Sequence, residues 1–218
     1  NSKVIKFKVE NELDYTDDSK IGLLDFFYGN NKNTISYELK KNSLNFLSSN
    51  KKLNEDNFYS GLINFKPFFL NADFNTDKLN LSYLFGSNSP FLELLKAEIF
   101  VNKNLNIKIN INSNKLIHHD RFINFLLKFT IEEGLINIDD SKINWSDFLD
   151  FQIYDSLFFI DNNDLFLSGK VSSTIKNFDE VYKFFQTPKK YRTEIEKLEF
   201  NFIYNLDQQM INFHNIKI

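Results

Sequence analysis

Cysteine is absent from this 218-residue chain. That excludes disulfides and thiolate metal sites, and it fits either a reducing cytoplasm or a disulfide-free envelope protein. Arginine occurs only at Arg121 and Arg192, so lysine supplies 24 of the 26 basic residues, and alanine appears only twice. Long apolar runs are missing too. Leu23-Leu24-Asp25-Phe26-Phe27 is among the longest and carries a charge, well short of the roughly 20 residues a membrane-spanning helix needs. A net charge of −3 supplies no basic field, which argues against nucleic acid as a partner. No glycine-rich phosphate loop, serine elbow or HExxH sequence occurs to support phosphoryl transfer, acyl transfer or metal-assisted hydrolysis. The chain opens at Asn1 with no signal peptide before its first strand. We read it as a piece of a longer protein, any anchoring or targeting segment lying outside it.

What is abundant is alternation. Leu105 to Asn112 reads Leu-Asn-Ile-Lys-Ile-Asn-Ile-Asn, and the pattern returns along the whole chain. Successive side chains of a strand point to opposite faces, so such segments predict a sheet with one apolar face and one polar face. The 26 phenylalanines fall largely on the apolar phase. An AT-rich genome explains the excess of asparagine and lysine but not that placement.

Strands are predicted at Val4–Val9, Thr34–Leu39, Ser43–Leu47 and Gly61–Phe74, the last broken at Pro67, where a bulge or an edge position is expected because proline cannot donate to a ladder. Asn11 to Lys20 reads as a polar loop. Further strands are expected at Glu98–Val101, Leu105–Asn112, Arg121–Ile131, Leu135–Asp139, Lys142–Trp145, Phe151–Ile160 and Leu165–Ser172, and in a closing hairpin of Lys197–Leu206 and Met210–Ile218. Between Asn75 and Lys96 the period changes to a helical one, with Gly86 as a stop and Ser89-Pro90 as a new start. Asn177 to Arg192 reads as a second helical piece capped by Asn177. The expected fold is therefore mainly β: one domain over 1–218, a large twisted antiparallel sheet, groove-like or open-barrel-like, with two short helical insertions.

Candidate chemistry is thin. His118-His119-Asp120 could offer two metal ligands, but adjacent residues on a strand face opposite ways and His214 is remote in sequence. A solvated turn is the favoured reading. Asp161-Asn162-Asn163-Asp164 resembles half a calcium loop yet lacks its glycine and closing glutamate, so a hairpin turn is expected. Asp139-Asp140 and Glu132-Glu133 have no nucleophile or histidine spaced to meet them. No catalytic residue, metal or cofactor is assigned. The remaining signal is the apolar phase itself, in Ile107, Ile109, Ile111, Phe125, Leu127, Phe129, Phe200, Phe202 and Tyr204. If that face exceeds what two short helices can cover, the open strip could hold acyl chains.

The segments Gly61-Leu62-Ile63-Asn64-Phe65-Lys66-Pro67-Phe68, Leu79 to Leu95, and Glu133-Gly134-Leu135-Ile136-Asn137-Ile138 with Ile143-Asn144-Trp145 resemble the middle of AsmA-like bacterial envelope proteins, the family of the TamB and YhdP types. Leu167-Ser168-Gly169, Phe178–Gln186, Pro188-Lys189-Lys190 and Asn205-Leu206-Asp207-Gln208 resemble that family's carboxy-terminal region. The likeness spans Gly61 to Ile218 and is one of pattern, without a catalytic motif. It implies a periplasmic protein tethered to the inner membrane by a helix outside this chain. It also implies an apolar β-groove that supports phospholipid transport to the outer membrane or outer-membrane assembly, with phospholipid acyl chains and other envelope proteins as partners. The rival expectation is a structural or interaction module whose apolar face is fully internal and whose strand edges dock neighbouring segments.

Overall fold

A computed structural model describes residues 5–14, 19–28, 31–48, 58–86 and 89–218. Its strands are β1 (Ile5–Asp14), β2 (Ser19–Tyr28), β3 (Asn31–Leu39), β4 (Ser43–Ser48), β5 (Phe58–Phe65), β6 (Phe68–Leu79), β7 (Asn106–Leu116), β8 (His119–Glu132), β9 (Leu135–Asn137), β10 (Lys142–Trp145), β11 (Leu149–Asp161), β12 (Asp164–Ile175), β13 (Lys197–Asn205) and β14 (Met210–Lys217). Together they make one open sheet. Thirteen strands follow a single path in chain order, and β9 pairs with β8 to one side of it. The expected mainly β fold, mostly antiparallel and carrying two helical insertions, is the fold the chain adopts.

One pair departs from the antiparallel rule: β6 and β7 run parallel, with Leu70 beside Ile107 and Phe74 beside Ile111. Parallel neighbours need a crossover rather than a hairpin. Residues 80–105 supply it as α1 (Ser82–Phe85), α2 (Pro90–Lys96) and a 3-10 turn at Ile99–Val101. The start of α2 is set locally, since Ser89 Oγ accepts the Phe91 N–H at 3.2 Å and Pro90 occupies the first helical position. The second insertion is α3 (Phe178–Phe184), where Asn177 Oδ1 accepts the Glu180 N–H at 3.2 Å, followed by a 3-10 turn at Lys189–Tyr191.

The register sorts the side chains. Ile107 faces Ile131, Ile109 faces Phe129 and Ile111 faces Leu127 across β7 and β8. The same apolar face continues through Ile153–Val171, Leu167–Tyr204 and Gly169–Phe202 on β11 to β13. The opposite face is knit by polar pairs, among them Asn110–Asp73 at 2.8 Å, Gln152–Asp140 at 3.0 Å and Lys170–Asp155 at 3.0 Å. Both insertions lie on the apolar face. Leu92 and Leu95 of α2 join Ile131, Leu165 and Leu206 in the main core, and Val181 of α3 packs with Trp145 and Leu149 in a smaller cluster. Each fully buried side chain of this kind contributes about 1.5–3 kcal/mol.

Several local expectations are corrected. Glu98–Val101 is not a strand; Glu98 takes a left-handed conformation (φ 54°) and the next three residues form a 3-10 turn. Strand β6 runs on to Leu79 through residues read as helical, because Asn75, Thr76 and Lys78 are held in register by Asn112, Ser113 and Lys115 of β7. The segment Gly61–Phe74 is two strands, not one, with Lys66-Pro67 as the turn between β5 and β6. The polar stretch Asn11–Lys20 is strand at both ends, Asp14 pairing with Ser19, and its residues 15–18 lie outside the described ones. Val4, at the start of the first expected strand, lies outside them as well.

Candidate functional site

Two hollows open on the apolar face. The first, about 570 Å³, lies between the β5–β8 sheet and the helices α1 and α2. Ile109, Ile111, Leu127 and Phe129 come from β7 and β8, Tyr59 and Phe74 from β5 and β6, and Tyr83, Leu84 and Phe91 from the helical crossover. Phe91 sets its ring edge against Phe129, centroids 5.0 Å apart, which clamps α2 to the sheet. The second hollow, about 370 Å³, spreads over β8 and β10 to β14. Its lining is Phe122, Phe125, Ile143, Phe151, Ile153, Leu167, Val171, Phe200, Phe202, Ile211 and Phe213, with only Ser141 and Lys142 adding polar groups. Phe125 and Leu127 sit two residues apart on β8, so the hollows are neighbours along one strand face.

Seven of the nine residues expected on the apolar face therefore line a hollow. Ile109, Ile111, Leu127 and Phe129 line the first, and Phe125, Phe200 and Phe202 line the second. Ile107 and Tyr204 line neither: Ile107 is buried in the main core, and Tyr204 packs against that core half-buried. The register brings Phe202 down over Gly169, where an added Cβ would stand 3.0 Å from the ring. Phe202, packed close to that glycine, lines the second hollow. The sequence carried that signal only as an unexplained glycine in an apolar strand. Missed altogether were Tyr83 and Phe91, which reach the first hollow from helices, and Ile211 and Phe213 on the last strand.

Polar groups at the two hollows differ. Tyr59 Oη, at the first, is shut off from solvent with no hydrogen-bond partner, and burial raises its pKa. Lys78 is exposed and lines the same hollow. Away from both linings, Lys96 at the end of α2 pairs with Asp207 after β13 at 2.6 Å. The Lys96 ammonium, and then the Leu165 N–H at 2.7 Å, hold the Asp207 carboxyl below its ordinary pKa.

The weaker chemical candidates are placed as follows. His118 takes a left-handed turn conformation (φ 67°) and His119 starts β8 with its ring edge toward Phe122. Among the described residues, no group of three or more His, Asp or Glu stands close enough to hold a metal. Asp161 to Asp164 closes the β11–β12 hairpin, with Asn162 and Asn163 both at positive φ, the conformation a tight two-residue turn requires. Asp139 is occupied structurally, accepting the Ser156 N–H and O–H at 2.7 and 2.6 Å. Its neighbour Asp140 receives Gln152 and Lys128. Among the described residues no helix is long and apolar enough to cross a membrane.

Comparison with protein-family models, with curated proteins and with solved structures found no match.

Proposed function

We propose that the uncovered apolar face shelters acyl chains passively, and that the chain is a segment of an AsmA-like periplasmic protein that supports phospholipid transport or outer-membrane assembly. The observation that carries the reading is the second hollow. Its lining is almost wholly aromatic and aliphatic, yet neither α2 nor α3 contributes a residue to it. Each methylene brought out of water gains about 0.8 kcal/mol, so an acyl tail of about 15 carbons faces a barrier on the order of 12 kcal/mol in crossing water bare. A continuous apolar strip lowers that barrier without any bond being made or broken. The polar ladders on the other face would keep the sheet wetted while the tails stay sheltered.

Native mass spectrometry after mild, detergent-free purification tests this reading. Co-purifying phospholipid or fatty acid at near-stoichiometric occupancy supports it. A folded, lipid-free protein that also takes up no fluorescent fatty-acid probe refutes it. The periplasmic placement is tested separately by osmotic-shock fractionation of cells making the full-length protein.

A second reading, docking of a neighbouring segment, is favoured by one observation. Every residue of β14 is exposed, Met210, Phe213 and Ile216 by more than half. An exposed apolar edge strand is a template for a further strand. Concentration-dependent self-association that protects β14 amides from exchange, in a lipid-free protein, would favour it over the first.

A further inference from the structure

The run 181–193, which holds the end of α3 and the following 3-10 turn, carries four basic residues, Lys183, Lys189, Lys190 and Arg192. It has no acidic one, in a chain whose net charge is −3. Its rings stand in solvent: Phe184 is almost half exposed, and Phe185 and Tyr191 more than half. Phe184 and Phe185 pack against the buried Trp145, centroids 4.5 and 6.0 Å away, and that contact still leaves them open to water. Hydrogen bonds brace the loop. The Thr187 N–H donates to the Tyr182 carbonyl at 2.9 Å, Arg192 Nε to the Thr187 carbonyl at 3.0 Å, and the Tyr182 hydroxyl to the Thr193 carbonyl. Lys183 pairs with Glu180 at 2.6 Å, and Arg192 lies 3.9 Å from Asp179. Among the described residues, Lys189 and Lys190 have no carboxylate within ion-pair distance; the Lys190 ammonium lies 4.7 Å from the centre of the Tyr191 ring. Next to the loop, the start of β8 adds Asp120 and Arg121, whose guanidinium lies 4.7 Å above Phe184, and the β10–β11 turn adds Asp147.

We propose that this loop docks the protein on an anionic lipid surface, Phe185 and Tyr191 entering the headgroup layer while Lys189 and Lys190 meet the lipid phosphates. Exposed rings flanked by basic residues suit a bilayer interface, where the ring leaves water and the ammonium stays in it. A protein partner could cover the rings as well, but a run of basic residues without a carboxylate favours a surface that is negative throughout. The loop also borders the open strip. Phe122 and Phe151 line the second hollow and pack against the cluster of Trp145, Leu149 and Val181, so a docked loop would set that hollow beside the bilayer. This consequence rests on the acyl-chain reading; the docking itself does not.

The test is co-sedimentation with vesicles of phosphatidylcholine alone and of equal parts phosphatidylcholine and phosphatidylglycerol. We expect the protein to bind the mixed vesicles and to leave them as salt rises. Trp145 is the single tryptophan and packs against both phenylalanines, so brominated lipid in the mixed vesicles should quench its emission. The double variant Lys189→Ala, Lys190→Ala should weaken binding roughly 25-fold, about fivefold for each lysine near a charged surface. Phe185→Ser with Tyr191→Ser should weaken it about tenfold. All four side chains are exposed, so both variants should keep the parent's urea midpoint; if the aromatic one does not, the lysine variant carries the test alone. Vesicle binding that neither variant reduces, or no binding at all, overturns the docking. Lipid-free dimerisation that the aromatic variant abolishes overturns it too and assigns the loop to a second copy of the chain. None of the four residues lines the second hollow, so uptake of the fatty-acid probe should be the same in parent and variants, and the acyl-chain reading stands or falls separately.

Discussion

The two hollows share one sheet face and differ in how they are roofed. The first lies under α1 and α2 because β6 and β7 are parallel, and a parallel pair cannot be joined without a crossover that has to lie somewhere. The second is bordered by β11 to β14, strands that pair antiparallel with their neighbours. The α3 segment joins β12 to β13, but it packs at the end of the sheet against Trp145, whose ring meets Phe184 at 4.5 Å. So among the described residues no helix roofs the middle of that region. Cover on this sheet follows connection type rather than local hydrophobicity. The bare region is the more uniformly apolar of the two, and the roofed region holds the unpartnered Tyr59 hydroxyl and Lys78.

The comparison breaks most sharply on stability. Phe129 is 3% exposed beneath Phe91, whereas Phe213, on the open wall of the second hollow, is 55% exposed. Phe129→Ala should cost about 3–5 kcal/mol from the lost contacts and the remaining cavity. Phe213→Ala should stay within roughly 0.5 kcal/mol, as exposed positions do. Urea unfolding of both variants measures the difference. Equal losses would mean the second hollow is as tightly packed as the first, and the contrast in roofing would collapse.

A smaller effect should come from the roof alone. Ser89 is 2% exposed; its Oγ donates to the Tyr83 carbonyl at 2.8 Å and accepts from the Phe91 N–H, tying the α1 segment to α2. Ser89→Ala should cost about 1–2 kcal/mol, the usual value of a helix cap. It should also speed amide exchange in residues 82–96 while leaving β13 and β14 unchanged. Faster exchange in β14 as well would show that the two hollows are mechanically one unit.

Sequence periodicity identified the strands that bury one face cleanly. Ile107, Ile109 and Ile111 opposite Phe129 and Leu127 were legible because a period of two is all that such a face requires. Strand β2 was not, since Leu23-Leu24 and Phe26-Phe27 break the alternation, and Ile21 and Leu23 stand almost half exposed. The carboxylates of β1 hid its length, because backbone ladders form whatever the side chain. Caps at Ser89 and Asn177 could be read because each is a contact between residues two or three apart. Neither the parallel β6–β7 pair nor the gathering of Tyr59 and Phe91 around the first hollow could be. Both depend on which strand finds which, a choice made by contacts far apart in the chain.

The smallest predicted effect concerns the tie between the two regions, and it depends on pH. Lys96 at the end of α2 and Asp207 beyond β13 pair at 2.6 Å, with side chains 34% and 31% exposed. Solvent screens a pair placed like this, and Asp207→Asn should cost less than about 1 kcal/mol at neutral pH. Because the carboxyl is held below its ordinary pKa in the folded chain, first by Lys96 and then by the Leu165 N–H, it releases its proton more readily folded than unfolded. Its contribution is therefore complete above the unfolded carboxyl's pKa and disappears as the pH falls through the lower folded value. Urea midpoints of the parent and the variant should differ most near pH 7 and converge at the acidic end. A gap that held constant down to pH 2 would show that the charge is irrelevant. In that case the roof of the first hollow would be joined to the wall of the second by the apolar packing of the main core, to which Leu92, Leu95 and Leu206 all belong.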